Sequence, residues 1–293
     1  MKDSFSTVDA SPGRAGWCIG GLVLLIAVLW PVVNDSAFSL SLCSLVALNM
    51  IGAVSLHLVI RTGHISLGHA GFMGVGSYVC VLAVTRVGLP PLLGLLSGIA
   101  AAALLAALIG PVVLRLTGKY FVLVTFLLGE IIRLVFVEWI SLTGGANGIS
   151  LIPPLHVTLA SPLAMYYVLL AAATLVVGVC ALLLRSEIGR AIDSVRVAPN
   201  LAEASGVPVL RLKIGVFVFA CVLAGLQGGL LAFYLQYIDP HSFGMHVSLN
   251  FVVMNVIGGM YNIVGPLLGA TFLVALPELF RDYVEWQQVM LGV

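Results

Sequence analysis

The chain has 293 residues, 61% of them hydrophobic and 9% charged, with 13 Lys and Arg against 12 Asp and Glu. A soluble domain carries about a quarter charged residues, so this composition cannot cover a water-facing surface. The net charge of +1 argues against nucleic acid as a partner.

The composition implies an all-α, polytopic transmembrane bundle. A spanning helix needs about 20 mostly apolar residues. Such runs lie at 17–33, 38–60, 64–85, 89–114, 120–140, 163–184 and 214–238. The first ends in Leu29-Trp30-Pro31 rather than a small-residue cleavage site, so it reads as a retained anchor after a tail of residues 1–16. The stretch 247–280 is too long for one span. It is interrupted at Gly258-Gly259-Met260-Tyr261-Asn262 and splits into two short helices. A last apolar start, Val289 to Val293, brings the expectation to about 8–10 spans.

Basic residues set orientation. The loop 185–213 holds Arg185, Arg190, Arg196, Arg211 and Lys213, which places it in the cytoplasm. Counting back puts Arg115 and Lys119, Arg61, and the Lys2/Arg14 tail on the same side. The N-terminus is then cytoplasmic and 141–162 faces outward. Arg86 and Arg281 fall outside the rule, and Arg133 lies within a span.

Small residues recur at helical spacing at Ser66, Ala70 and Gly74, at Gly225 and Gly229, and at Gly265 and Gly269. Such stripes either let helices approach closely or line a substrate path. Gly63, Gly68, Gly71, Gly74 and Gly76 mark a broken or tightly packed helix start, which membrane depth tolerates only against protein or a water-filled cavity. Glu130 and Arg133, three apart, share a face and can pair, for structure or for gating. Asn49, His57, Gln227, Asn250 and Asn255 can bond across helices. His64 and His69, five apart, do not share a helix face, so no metal site is expected. Cys18, Cys43, Cys80, Cys180 and Cys221 sit in apolar runs without metal-ligand spacing and read as small hydrophobes.

Arg185 to Arg196 reads as a helix continuing the preceding span. Pro199 interrupts it and opens a second short helix, with Leu201-Ala202-Glu203-Ala204 as its body and Gly206 just past its end. Pro208 prevents continuation. Such a short helix is hardly stable alone. It is either an ordinary surface loop or a docking element.

Four blocks in order resemble a known family. They are Gly63-His64-Ile65-Ser66-Leu67-Gly68-His69-Ala70-Gly71-Phe72; Thr125 through Gly129-Glu130-Ile131-Ile132-Arg133, followed by Leu142-Thr143-Gly144-Gly145-Ala146-Asn147-Gly148; Gly189-Arg190-Ala191 through Ala202-Glu203-Ala204-Ser205-Gly206 to Ala224-Gly225-Leu226-Gln227-Gly228; and Val256-Ile257-Gly258-Gly259, Gly265-Pro266-Leu267-Leu268-Gly269 and Leu276-Pro277-Glu278. Over about residues 45–283 the chain resembles the permease of bacterial ATP-binding-cassette importers for branched-chain amino acids, specifically the M-type subunit of the leucine/isoleucine/valine system. It departs from the family at Val197-Ala198-Pro199, where acidic residues are common, and at Met260-Tyr261-Asn262, where a Gly-rich turn is usual. It also stops at Val293, early in the family's last helix.

The resemblance implies a permease domain over 17–293 in a bacterial inner membrane, working by alternating access. It implies a second permease subunit, two cytoplasmic ATPase subunits and an extracytoplasmic substrate-binding protein. The loop 185–213 would couple to the ATPase through Gly189, Arg190, Ala202, Glu203, Ala204 and Gly206. Ser66, Gly68, His69, Ala70, Gly74, Glu130, Arg133, Gly144 and Gly145 would line the path or pack the helices. ATP and Mg would sit on the partner: the chain has no GxxxxGK[ST] loop, since Gly118-Lys119 is followed by Tyr120. The rival is an ATP-independent secondary transporter or channel, which would want intramembrane carboxylates for ion coupling. An intramembrane enzyme would want a nucleophile with a base or a metal cluster. Neither is apparent in the sequence, and no catalytic residue is expected.

Overall fold

The computed structural model describes residues 36–155 and 161–279, together with Val28. The expected tail 1–16, the run 17–33 apart from Val28, Cys18 and the last apolar start at Val289 lie outside the described residues.

Long helices form where the apolar runs predict them. They are α1 (Ala37–Arg61), α2 (His69–Thr85), α3 (Pro91–Val113), α4 (Lys119–Glu138), a short α5 (Ile140–Thr143) and α6 (Pro162–Arg185). Then come α7 (Glu187–Val197), α8 (Pro199–Ala204), α9 (Val209–Leu235), α10 (Met245–Gly258) and α11 (Val264–Leu279). Among the described residues α1, α3, α4, α6 and α9 are long and apolar enough to cross a membrane, and α2, α10 and α11 are shorter apolar helices. The starts carry ordinary signals. Ser36 caps α1 by accepting from Ser39 N–H, Ser161 caps α6 the same way from Ala164 N–H, and prolines open α3, α6 and α8.

The short helices are completed by irregular chain. At about 1.5 Å per residue, α1 is about 37 Å long, more than the hydrocarbon core of about 30 Å, whereas α2 reaches about 25 Å. The missing length is supplied by residues 62–68, a non-helical stretch in which Thr62, His64 and Ser66 are buried. Irregular backbone at that depth needs protein around it, and α1 and α4 provide it. The expected broken start is therefore present. Ser66, however, precedes the helix, so it does not continue the stripe of Ala70 and Gly74. The 247–280 stretch divides as expected, with α10 ending at Gly258 and α11 opening at Val264.

Helices α1 and α9 are mostly buried, while α3, α4 and α6 lie at the periphery. Helices α2, α3 and α9 pack together, α6 and the α10–α11 hairpin flank α1, and α4 rests on α2. Glycine decides the closest crossing. A Cβ on Gly76 would meet the backbone of Gly225, one on Gly98 the carbonyl of Gly76, and one on Gly225 the Ala102 Cβ. Gly265 and Gly269 likewise abut Gly258 and Met254 across the hairpin. Both GxxxG stripes are thus packing surfaces.

Two findings differ from the sequence reading. Helix α7 does not continue α6: Ser186 (ψ 177) breaks the chain into a new direction, and Gly189 turns back onto the Leu184 backbone so closely that a Cβ would overlap it. The bundle also carries a two-residue antiparallel pair, β1 (Ile149–Ser150) with β2 (Tyr237–Ile238), at the end of the bundle away from Arg61. Cys80, Cys180 and Cys221 are buried free thiols and Cys43 is half-buried.

Candidate functional site: a buried polar seam and an amphipathic loop

Polar groups meet where α1, α2 and α10 touch. His69, the first residue of α2, brings Nε2 to 2.6 Å from the Ser55 hydroxyl of α1. The next residue, Ala70, donates its N–H to Ser248 Oγ of α10 at 2.9 Å, so a side chain from a distant helix satisfies an otherwise orphaned helix-start donor. Further along α1, His57 Nδ1 lies 3.0 Å from Asn255 Oδ1. The Asn255 amide nitrogen donates to the Ala53 and Phe251 carbonyls, so Oδ1 is the acceptor and His57 Nδ1 carries the proton. His57, His69, Ser248 and Asn255 are all fully buried. His57 and Asn255 therefore bond across helices as expected. Asn49 bonds the Leu45 carbonyl of its own helix instead, and Asn250 is exposed.

The remaining residues of the first block are held against α4. Leu67 N–H donates to Thr125 Oγ1 at 3.2 Å, and a Cβ on Gly68 would overlap the Thr125 carbonyl. Gly74 faces Phe136 and Phe243, whose rings flank Tyr78. His64 lies edge-on to Phe121 with ring centroids 4.6 Å apart. Among the described residues no group of three His, Cys, Asp or Glu is placed to hold a metal.

Glu130 and Arg133 do pair. Arg133 Nε donates to Glu130 Oε2 at 2.8 Å, with the Arg133 and Glu130 side chains 22% and 25% exposed. Beside them Leu123, Leu127, Ile131 and Leu134 leave one face of α4 uncovered. Replacing Glu130 by leucine leaves Arg133 without its partner at about 21 Å along the helix, a costly state within a bilayer. Lower folded yield in membranes is expected, and full yield with full uptake would mean that the arginine is satisfied elsewhere. Gly144 and Gly145 lie apart from this pair, in a turn with φ of 77° and 63° that Thr143 braces by donating to the Phe136 carbonyl. Their role in the structure is the turn.

The loop at the Arg61 end is built as two helices. Helix α7 buries Gly189, Ile192 and Val195 and exposes the opposite face, with Arg190 paired to Glu187. In α8 only Ala202 is buried; Glu203 and Ala204 are exposed. Gly206, at φ +89°, donates to the Glu203 carbonyl, and Val207 donates to the Ala202 carbonyl. This is a Schellman stop, and it matches the reading of Pro199 and Gly206 as the helix's two ends. Ile188, Val197 and Leu201 are 47%, 76% and 68% exposed.

Ser55 and Ser248 carry no sequence signal, because each meets its partner on another helix.

The family model described as "Branched-chain amino acid transport system / permease component" matches residues 38–293. The high-affinity branched-chain amino acid transport system permease protein LivM of Salmonella typhimurium is 31% identical over 302 residues, covering 92% of this chain and 70% of the relative. LivM of Escherichia coli is 30% identical over the same shares. The probable branched-chain amino acid transport permease protein LivH of Methanocaldococcus jannaschii is 28% identical over 109 residues, 37% of this chain and 34% of its own. No solved structure matches. With a helical, multi-pass architecture and a family match over most of its length, the chain belongs to the branched-chain amino acid transport system permease family, the membrane-spanning subunits of ATP-binding-cassette importers.

Proposed function

We propose that this permease carries branched-chain (Leu/Ile/Val) amino acids inward across a bacterial inner membrane, with its N-terminus in the cytoplasm. It works beside a second permease subunit, two cytoplasmic ATPase subunits that hold ATP and Mg, and an extracytoplasmic substrate-binding protein. The segment 187–206 docks on the ATPase through Gly189, Arg190, Ala202, Glu203, Ala204 and Gly206. The exposed face of α4, with Glu130 and Arg133, lines the path against the second permease, and Ser66, Gly68, His69, Ala70 and Gly74 hold α2 against α4 and α10 behind it. Gly144 and Gly145 shape the outer turn. ATP-driven closure at the docking segment shifts the helices between outward and inward states, and each ligand biases these only by binding one better than the other.

The observation that carries this reading is the exposure of three large apolar side chains on the loop helices. Ile188, Val197 and Leu201 are exposed on a segment otherwise fastened to the bundle, and large apolar side chains left uncovered on a packed element suit a protein partner. A charged pair is also ill suited to lipid, which favours a protein or aqueous neighbour for α4.

Purification of the tagged chain from its native membrane in mild detergent tests the assembly. An ATPase and a second permease in near-equal amounts are expected. Recovery of this chain alone, transporting in vesicles without ATP, would overturn the proposal.

A further inference from the structure

One guanidinium joins three separate pieces of this protein. Arg61 closes α1, and its side chain is 5% exposed. Its Nη2 donates to both oxygens of Asp193 on α7, at 2.6 and 2.5 Å, and its Nη1 donates to the carbonyl of Tyr261 at 2.6 Å. Tyr261 lies in the turn between α10 and α11. Arg196, three residues beyond Asp193, stacks its guanidinium 4.7 Å from the centroid of the Tyr261 ring. Asp193 and Tyr261 are thus held by the same cation, and Arg196 doubles the connection.

The neighbouring contacts give this link a direction. One helical turn before Arg61, His57 bonds Asn255, so α1 and α10 are fastened again along their length. The turn that carries Tyr261 follows Gly258 and Gly259, the latter at φ +109°, a conformation that glycine permits. A charge-assisted arginine–carboxylate pair with a buried guanidinium, here one nitrogen on both Asp193 oxygens, fixes geometry more tightly than apolar contact does. Breaking one side of it strands a charge.

We infer that Arg61 is a positioning residue that passes displacement of α7 to the α10–α11 hairpin. A push on α7 moves Asp193; Arg61 moves with it; and the Tyr261 turn follows because its carbonyl is bonded to the same group. The inference rests on the reading of 187–206 as the ATPase-docking segment.

The test uses the whole complex in proteoliposomes with binding protein outside and ATP inside. Asp193→Asn removes the charge while keeping the shape, and Asp193→Glu keeps the charge. In Asp193→Asn the ATPase is expected to stay bound and hydrolyse ATP, while amino acids carried per ATP fall at least about tenfold; Asp193→Glu is expected to recover most of that ratio. Unchanged transport per ATP in Asp193→Asn would overturn the inference. So would loss of the ATPase from that variant, because Asp193 would then belong to the docking surface. Arg61→Gln should give the same uncoupled ratio, measured per assembled complex so that poor folding does not enter. Leu201→Asp tests the docking reading separately. Retention of the ATPase in that variant would sink docking at Leu201 without touching the Arg61 measurement.

Discussion

Gly76→Leu is expected to abolish accumulation of folded protein in the membrane. Gly76 sits where α2, α3 and α9 cross, facing Gly98 and Gly225, and a Cβ there would fall on the Gly225 backbone. Backbone cannot rotate away as a side chain can, so whole helices must separate. Overpacking a well-packed core costs about 1–3 kcal/mol even where side chains can shift. Here the cost is larger, because the packing that drives association in lipid depends on close backbone approach. Gly178→Leu is the control: its added Cβ meets nothing within 4 Å, on the peripheral helix α6. The measurement is the monodisperse fraction of a fluorescent fusion on size exclusion after solubilisation. A sharp peak of ordinary height for Gly76→Leu would show that the three helices can pack differently.

The second large effect falls on Gly206. Proline at this position should leave insertion intact and cut ATP-driven uptake per chain by at least about tenfold. The native φ of +89° is far outside the range near −65° that the proline ring permits, and the N–H that closes α8 onto the Glu203 carbonyl would be gone. The stop of α8 would open and Ala202, its buried residue, would lose its place against the bundle. Gly206→Asn keeps the N–H and tolerates the left-handed conformation, so most uptake should survive. Uptake by Gly206→Pro at the ordinary rate would show that α8 is not what the ATPase holds.

These two sites differ in how much the sequence says about them. Pro199 and Gly206 announce α8 locally, because a fixed φ opens a helix and a residue free to adopt positive φ closes it. The same holds for Ser36 and Ser161 as caps, and for the split of 247–280 at Gly258-Gly259. It holds for the Glu130–Arg133 pair as well, since residues three apart on a helix must share a face. The break at Ser186 is also locally written, with a serine at the N-cap position followed by Glu187 in the first turn.

The amino-acid sequence by itself determined that this is a membrane-embedded helical bundle, where its long helices run and how its loop helices stop. Those outcomes depend on periodicity, apolar length and the conformational limits of proline and glycine, all properties of neighbouring residues. Only the tertiary structure decided which glycines meet and that Arg61 holds both Asp193 and the turn at Tyr261. Arg61 is 132 residues from the first and 200 from the second. Nothing in local chemistry selects a partner at that range. Packing of whole helices brings the groups together, and the cost of leaving a buried charge or N–H unsatisfied then fixes the pairing.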